Sequence, residues 1–422
     1  MFDTLRAVSK NADLKKKIIF TIIILLIYRI GAVIPVPFID SAALSEYFST
    51  TTVAAGLTGM LNIMAGGALS KAAIFALAIS PYINASIIIQ LLCIAIPYLE
   101  RLSKEEDGQK KVQKITRYTS IGLALIMSYG YYVILKTQNI VVNPGFFSAL
   151  VIISSFVAGA MLVMWLSELI NERGIGNGVS MLLLVGILSQ GTNVVQWIVT
   201  AFRSAKYWQI AVVAVIMILM IAGIVFVNQA ERRIPIQYAK RVVGRKMYGG
   251  NNSHLPMKVL MTGVMPIIFA QSFCMLPTTV AAFVPASSKY AIWVSKYFST
   301  DTIAYAIVFF VLIIFFNYFY VSITYNPVEI ANNLQKQGGS VPGIRPGEPT
   351  ANYIKKSLNK ITLAGAFFLG LIALLPMLFS AIFNLNFSLG GNSMLIVVSI
   401  IIETATTIES QLMMRHYKGF LD

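Results

Sequence analysis

Ten runs of mostly apolar residues dominate the chain, at 18–36, 72–98, 118–135, 147–167, 179–201, 208–227, 259–284, 302–323, 361–383 and 393–414. A helix crosses the hydrocarbon core of a bilayer with about 20 such residues. The runs therefore predict an all-α polytopic membrane protein. Composition agrees: 57% of residues are hydrophobic and 12% charged, against about 25% charged in soluble domains. The first 17 residues are polar and lead straight into the first run. That run is longer than a signal-peptide core of roughly 7–15 residues, so no cleaved signal is expected. Cys93 and Cys274 both lie in apolar runs and read as small hydrophobes rather than a disulfide or a metal site.

The net charge of +16 is unevenly placed. Of the Lys and Arg residues outside the runs, 26 fall on one face and six on the other. The six are Lys71, Lys136, Arg203, Lys206, Lys289 and Lys296. The excess of positive charge marks the rich face as cytoplasmic, with both termini inside. Ten spans divide as five and five, at 1–202 and 203–422. Two halves with an odd number of helices each would lie inverted, with a pathway between them. No residue-level repeat supports this, so the symmetry is geometric.

Only Arg29 and Glu403 place a charge well inside the runs. Each costs roughly 2.5–3.5 kcal/mol on insertion scales and needs a reason. A structural pair or a water-exposed position explains them more simply than an ion-coupling site, and neither His254 nor His416 lies in a run. The chain has no G-x-x-x-x-G-K-[ST] and no H-E-x-x-H motif. "ERGIGNG" (172–178) follows a membrane run and reads as a tight turn. No cofactor is expected, and the energy for any transport would come from a partner. An inverted-repeat secondary transporter of small solutes is the second reading. A membrane-embedded enzyme built on Glu403 is a third.

Residues 57–71, "LTGMLNIMAGGALSK", are apolar but too short to span. They predict a short helix over 57–64 stopped by Gly66 and Gly67. Such a helix either caps the outer helix ends or rests in a cavity, because non-spanning backbone at membrane depth needs protein around it.

"NIMAGGALSKAAIFALAISPYINASIIIQLL" (62–92) resembles the plug and second span of the SecY family of protein-conducting channels. "YRIGAVIPVPFID" (28–40), "ERGIGNG", "QAERRIPIQYAKRVVGRKMYGGNNSHLPMKV" (229–259), "GVMPIIFAQS" (263–272) and "GGSVPGIRPGEPT" (338–350) match the same family in order. The resemblance runs nearly end to end. It implies two inverted five-helix halves forming an hourglass pore closed by a plug helix at about 57–70. The implied function is passage of unfolded preproteins across a bacterial cytoplasmic membrane and sideways release of transmembrane segments into lipid. Motif position implies a pore ring of Ile79, Ile83, Val179, Leu183, Ile268 and Ile401, and a plug containing Leu57, Met60, Leu61, Asn62, Ile63, Met64, Gly66 and Gly67. A lateral gate between the second and seventh spans would carry Asn84, Ser86, Gln90, Gln271 and Ser272.

Aliphatic side chains suit such a ring physically. They gate by dewetting and impose no hydrogen-bond pattern on whatever passes. On the residues alone, packing explains each of the six equally well.

Two long polar segments, 228–258 and 325–360, bear basic residues on shaped loops. Prolines and glycines around Arg345 indicate a fixed loop rather than a helix at 338–350. With Arg232, Arg233, Lys240, Arg241, Arg245 and Lys246, Arg345 reads as a docking surface. The resemblance supplies the partners: the SecA motor ATPase, or a ribosome whose RNA phosphates attract basic loops. It also implies the small membrane subunits SecE and SecG. Lys246 stands where a second arginine is common in the family, which removes a bidentate fork there.

Overall fold

The computed structural model describes residues 11–50, 62, 65–105, 107–204, 207–238, 241–243, 246–248, 252–263, 265–282, 284, 288–298, 302–383 and 391–418. The first half contains α1 (Ala12–Gly31), α2 (Ser41–Thr50), α3 (Ser80–Ala95), α4 (Pro97–Lys104), α5 (Gly108–Thr137), α6 (Phe146–Arg173), α7 (Gly178–Ser189) and α8 (Gly191–Arg203). The second begins with α9 (Tyr207–Gln229), followed by β1 (Glu231–Tyr238), β2 (Arg241–Val243), β3 (Lys246–Tyr248) and β4 (Asn252–Lys258). It continues with α10 (Met265–Ala282), α11 (Lys289–Tyr297), α12 (Ile303–Thr324), α13 (Pro327–Lys336), β5 (Gly339–Ser340), α14 (Glu348–Phe383) and α15 (Gly391–Lys418).

Among the described residues, five helices are long and apolar enough to cross a membrane, or six if a bent pair is one span. That pair is α3 and α4, which meet at 108°. Pro97 sets the bend. It forces Ile96 out of the helical region, to φ −109 and ψ 112. The run expected at 72–98 is thus a helix only from Ser80. The run at 179–201 is likewise broken, at Gln190, into α7 and α8. Apolar side chains cover the outer helix surfaces: Ile22, Ile23, Leu26 and Ile27 on α1 are all exposed, as lipid-facing positions should be.

Sequence-local chemistry fixes the turn between α6 and α7. The Asn177 side chain caps α7 by accepting from the Val179 and Ser180 amides. Asn171 Oδ1 accepts from the Gly178 amide at 2.7 Å, and Thr21 Oγ1 on α1 accepts from the buried Ile175 amide at 3.1 Å. "ERGIGNG" is therefore a tight turn pinned to α1. Beside it, the Arg117 Nε–Glu168 Oε1 ion pair at 2.7 Å ties α5 to α6.

The polar segments fold more than their composition announced. β1 pairs antiparallel with β4 from Glu231↔Lys258 to Gln237↔Asn252, and with β5 through Tyr238↔Gly339. Ile234 and Ile236 point from β1 into a core made with Met257, Val321, Leu334, Val341, Ile354 and Leu358. Pro235 falls where β1 has no β5 neighbour, the position a strand proline needs. Segment 325–360 is largely helical. Asn326 caps α13, Pro327 occupies its first turn, and α14 starts at Glu348, inside the stretch expected to be loop.

A buried polar trio ties the turn after β4 to α12 and α14. Thr262 Oγ1 donates to Asn317 Oδ1 at 2.7 Å, and Asn317 Nδ2 donates to the Thr362 carbonyl at 3.0 Å. Removing the amide leaves both partners buried and unpaired, at about 1–3 kcal/mol. Asn317→Leu should therefore lower the thermal unfolding midpoint of the detergent-purified protein, while Tyr318→Phe, on the exposed side of the same turn, should lower it less.

Candidate functional site

The helices converge on one large aliphatic cluster. Ile79 and Ile83 enter it from the start of α3, Leu183 from α7 and Ile268 from α10; each is at most 5% exposed. Val179 is half-buried against it. Four of the expected ring residues are thus brought together, with a fifth at their edge.

The α15 contribution differs from expectation. Ile401 is 45% exposed, whereas Ile396 and Ile400 are buried in the cluster and Val397 packs on it. The i, i+4 pair Ile396 and Ile400 sets the inward face of α15. Ile401 lies about 100° around the helix from Ile400 and misses the cluster.

Beside this cluster lies a non-helical segment, 65–79. The chain at 32–36 runs against it: the Val36 amide donates to the Ala72 carbonyl and the Ile74 amide to the Ile34 carbonyl, both at 2.9 Å. Ala65, Ala68, Ala73 and Ala78 pack there with Ala32. Ala72 and Ala78 take positive φ, 43 and 46, a conformation that alanine adopts only under tertiary constraint.

Of the expected plug residues, Leu57, Met60, Leu61, Ile63 and Met64 lie outside the described residues. Asn62, Gly66 and Gly67 are described, and they form an anchorage. Arg29 Nη1 on α1 donates to the Gly66 carbonyl at 3.1 Å, and Ser189 Oγ at the end of α7 shares its proton between that oxygen at 3.1 Å and the Gly186 carbonyl at 2.6 Å. Asn62 Oδ1 accepts from the Ser70 amide at 2.9 Å, and Gln190 Nε2 reaches the Asn62 carbonyl at 3.4 Å. Gly66 has φ +65, and a Cβ there would meet Ser189 Oγ at 2.8 Å, so only glycine brings its carbonyl to both donors. The arginine stood out in the sequence as an intramembrane cation, but its partner did not. The partner is a backbone carbonyl rather than Glu403. Glu403 is exposed on α15.

The two helices expected to flank a lateral gate, α3 and α10, are in contact. Asn84, Ser86 and Gln90 are half-buried on α3; Gln271 is buried and Ser272 half-buried on α10. Gln90 Nε2 donates to Ser86 Oγ at 3.2 Å, so this polar contact runs along α3 rather than across the seam.

On the sheet side, Arg345 is exposed at the tip of a shaped turn. Gly343 and Gly347 flank it at φ +80 and +96, buried Val341 anchors the loop, and the Arg345 carbonyl accepts from Thr350 Oγ1 at 2.8 Å. The guanidinium takes no part in that bond. Arg233 is exposed on β1 and pairs with Glu231 at 2.7 Å. Arg232 is exposed at the foot of the same strand. Arg241 and Lys246 lie on the β2–β3 ladder, in the register Arg241↔Tyr248, Val242↔Met247 and Val243↔Lys246; Lys240 and Arg245 fall outside the described residues.

Comparison with known proteins gives a consistent result. Residues 73–405 match the family model described as SecY. The chain is 43% identical over 427 residues to "Protein translocase subunit SecY" of Streptomyces scabiei, covering 98% of both chains. Its fold is similar to "The structure of a protein conducting channel", with a TM-score of 0.69 at 18% identity, covering 94% of this chain and 92% of that one. It is also similar to "Sec61 in the Canine ribosome-channel complex from the endoplasmic reticulum", with a TM-score of 0.64 at 19% identity over the same shares.

Proposed function

This chain belongs to the SecY family of protein translocation channels, multi-pass membrane proteins that are not enzymes, and from that premise we propose how its own residues conduct and seal. The solute-transporter reading is set aside by the same family membership. The proposed path runs through the aliphatic cluster of Ile79, Ile83, Val179, Leu183 and Ile268, with Val397 and Ile400 in the place expected for Ile401. The observation that carries it is the convergence of α3, α7, α10 and α15 on buried branched hydrocarbon. A dry constriction of this kind excludes ions by dewetting and still deforms around any passing side chain.

The ten spans, two inverted halves with their divide near residue 202, and cytoplasmic termini in a bacterial inner membrane complete this reading. The ten apolar runs, the sidedness of Lys and Arg, and the family favour it. Unfolded preproteins are the substrate, signal sequences and membrane segments leave between α3 and α10 into lipid, and SecE and SecG accompany the chain. Arg345, with Arg232, Arg233, Lys240, Arg241, Arg245 and Lys246, forms the docking face for SecA or the ribosome. Segment 57–70 is the plug, and Arg29, Ser189 and Gln190 hold its base.

A precursor arrested in mid-passage and carrying a photoreactive residue tests the path. It should crosslink to probes at Ile83, Leu183 and Ile268 and leave one at exposed Leu371 unlabelled. Labelling of Leu371 in preference to the other three would move the path out of the cluster.

A further inference from the structure

A basic cavity sits where the sheet meets α14. Arg232, Tyr353, Lys356, Ser357, Lys360 and Ile361 line an open hollow of about 290 Å³, with three cations, two hydroxyls and no carboxylate. Five of the six come from one face of α14, at the i, i+3, i+4, i+7 and i+8 spacing of a helix. Arg232 arrives from β1. It shares the strand face of Ile234 and Ile236, which are buried against α14, and so it extends that row past the edge of the core to the cavity. Arg233 points to the other face, where Glu231 pairs with it. The Glu231 carboxylate is thereby directed away from the three cations.

The cavity also has a direction. Beyond Lys360, α14 carries no charged residue as far as Phe383. The exposed face that bears Lys356 and Lys360 continues, at helical spacing, through Leu363, Phe367 and Leu371, all exposed. A ligand bound here meets cations and hydroxyls at one end and a hydrocarbon strip at the other. A free phosphate or a nucleic acid would use only the first.

We infer that this cavity is a binding site for an anionic phospholipid of the cytoplasmic leaflet. The phosphodiester lies between Arg232, Lys356 and Lys360, Tyr353 and Ser357 supply hydroxyl donors, and one acyl chain follows Leu363 and Phe367. Basic pockets at the cytoplasmic ends of membrane helices bind acidic headgroups by this combination of charge and adjoining apolar surface. The site lies beside the face proposed for cytosolic partners and shares Arg232 with it. Lipid at this position would neutralise part of the basic surface and fix the foot of the sheet against the membrane.

Native mass spectrometry of the detergent-purified full chain, with any subunits that travel with it, tests this with phosphatidylglycerol and phosphatidylcholine as probes. Wild type should retain phosphatidylglycerol in preference to phosphatidylcholine. Lys356→Gln with Lys360→Gln should weaken that retention about 30-fold, at roughly tenfold or less per lysine, whereas Lys356→Arg with Lys360→Arg should preserve it. Should the glutamine pair fail to assemble, rising salt on wild type carries the same test, because retention must then fall toward the phosphatidylcholine level. Equal retention of the two lipids by wild type, or unchanged retention by the glutamine pair, would overturn the assignment. So would displacement of phosphatidylglycerol by inorganic phosphate or by a short RNA at matched phosphate concentration, which would make the cavity a plain phosphate or nucleic-acid site.

Discussion

Arg345→Glu should abolish motor-driven export while leaving the chain folded and inserted. The arginine is exposed, and its loop is held by buried Val341, by the Thr350 hydroxyl on the Arg345 carbonyl, and by Gly343 and Gly347. None of these contacts uses the guanidinium, so charge reversal leaves the scaffold intact. A fixed loop presents the side chain without an ordering cost at the moment of docking. Loss of one partner of a desolvated charge pair costs about 2–5 kcal/mol, and reversal adds repulsion; at that level affinity falls about 30-fold or more. ATP-dependent uptake of a labelled precursor into inverted membrane vesicles measures it. Uptake should vanish for Arg345→Glu and be partial for Arg345→Lys, which keeps the charge and loses the fork. Normal uptake by the glutamate variant would remove Arg345 from the docking face.

Much of this architecture was legible because long apolar runs have few folding options in a membrane. The resemblance supplied the candidate ring, and four of its residues pack in one cluster although nothing in their spacing required it. What the sequence hid falls into three kinds. Residues 72–79 belong to an apolar run expected to be helical, yet 65–79 is a series of turns, because residues 32–36 offer its backbone an alternative set of hydrogen bonds. That choice depends on a partner 40 residues away and leaves little local trace. The sheet was closer to the surface of the text. "RRIPIQY" alternates with period two, the pattern of a half-buried strand, and "NPVEIANNLQK" opens with an Asn cap and a first-turn proline. The third is helix phase: in a run of isoleucines and valines, only the packed structure selects Ile396 and Ile400 as the pair in the cluster and leaves Ile401 exposed.

Arg29→Met should make the resting channel leak ions. Arg29 Nη1 donates to the Gly66 carbonyl, which Ser189 also approaches. A charge-assisted hydrogen bond is worth about 1.5–3 kcal/mol. Losing it shifts the balance between seated and displaced plug by roughly 10- to 100-fold. Methionine fills much of the same volume and adds no buried charge, so the helix should still insert. Ser189→Ala removes a neutral bond of about 0.5–1.5 kcal/mol, and its leak should be several-fold smaller. Conductance of the purified channel in planar bilayers ranks the variants: deletion of 57–64 highest, then Arg29→Met, then Ser189→Ala, then wild type. The deletion separates the two ideas at stake. A tight deletion variant would mean that segment 57–70 is no plug at all. A leaky deletion beside a tight Arg29→Met would keep the plug and discard the clamp, leaving the alanine packing around residues 65–78 to seat it.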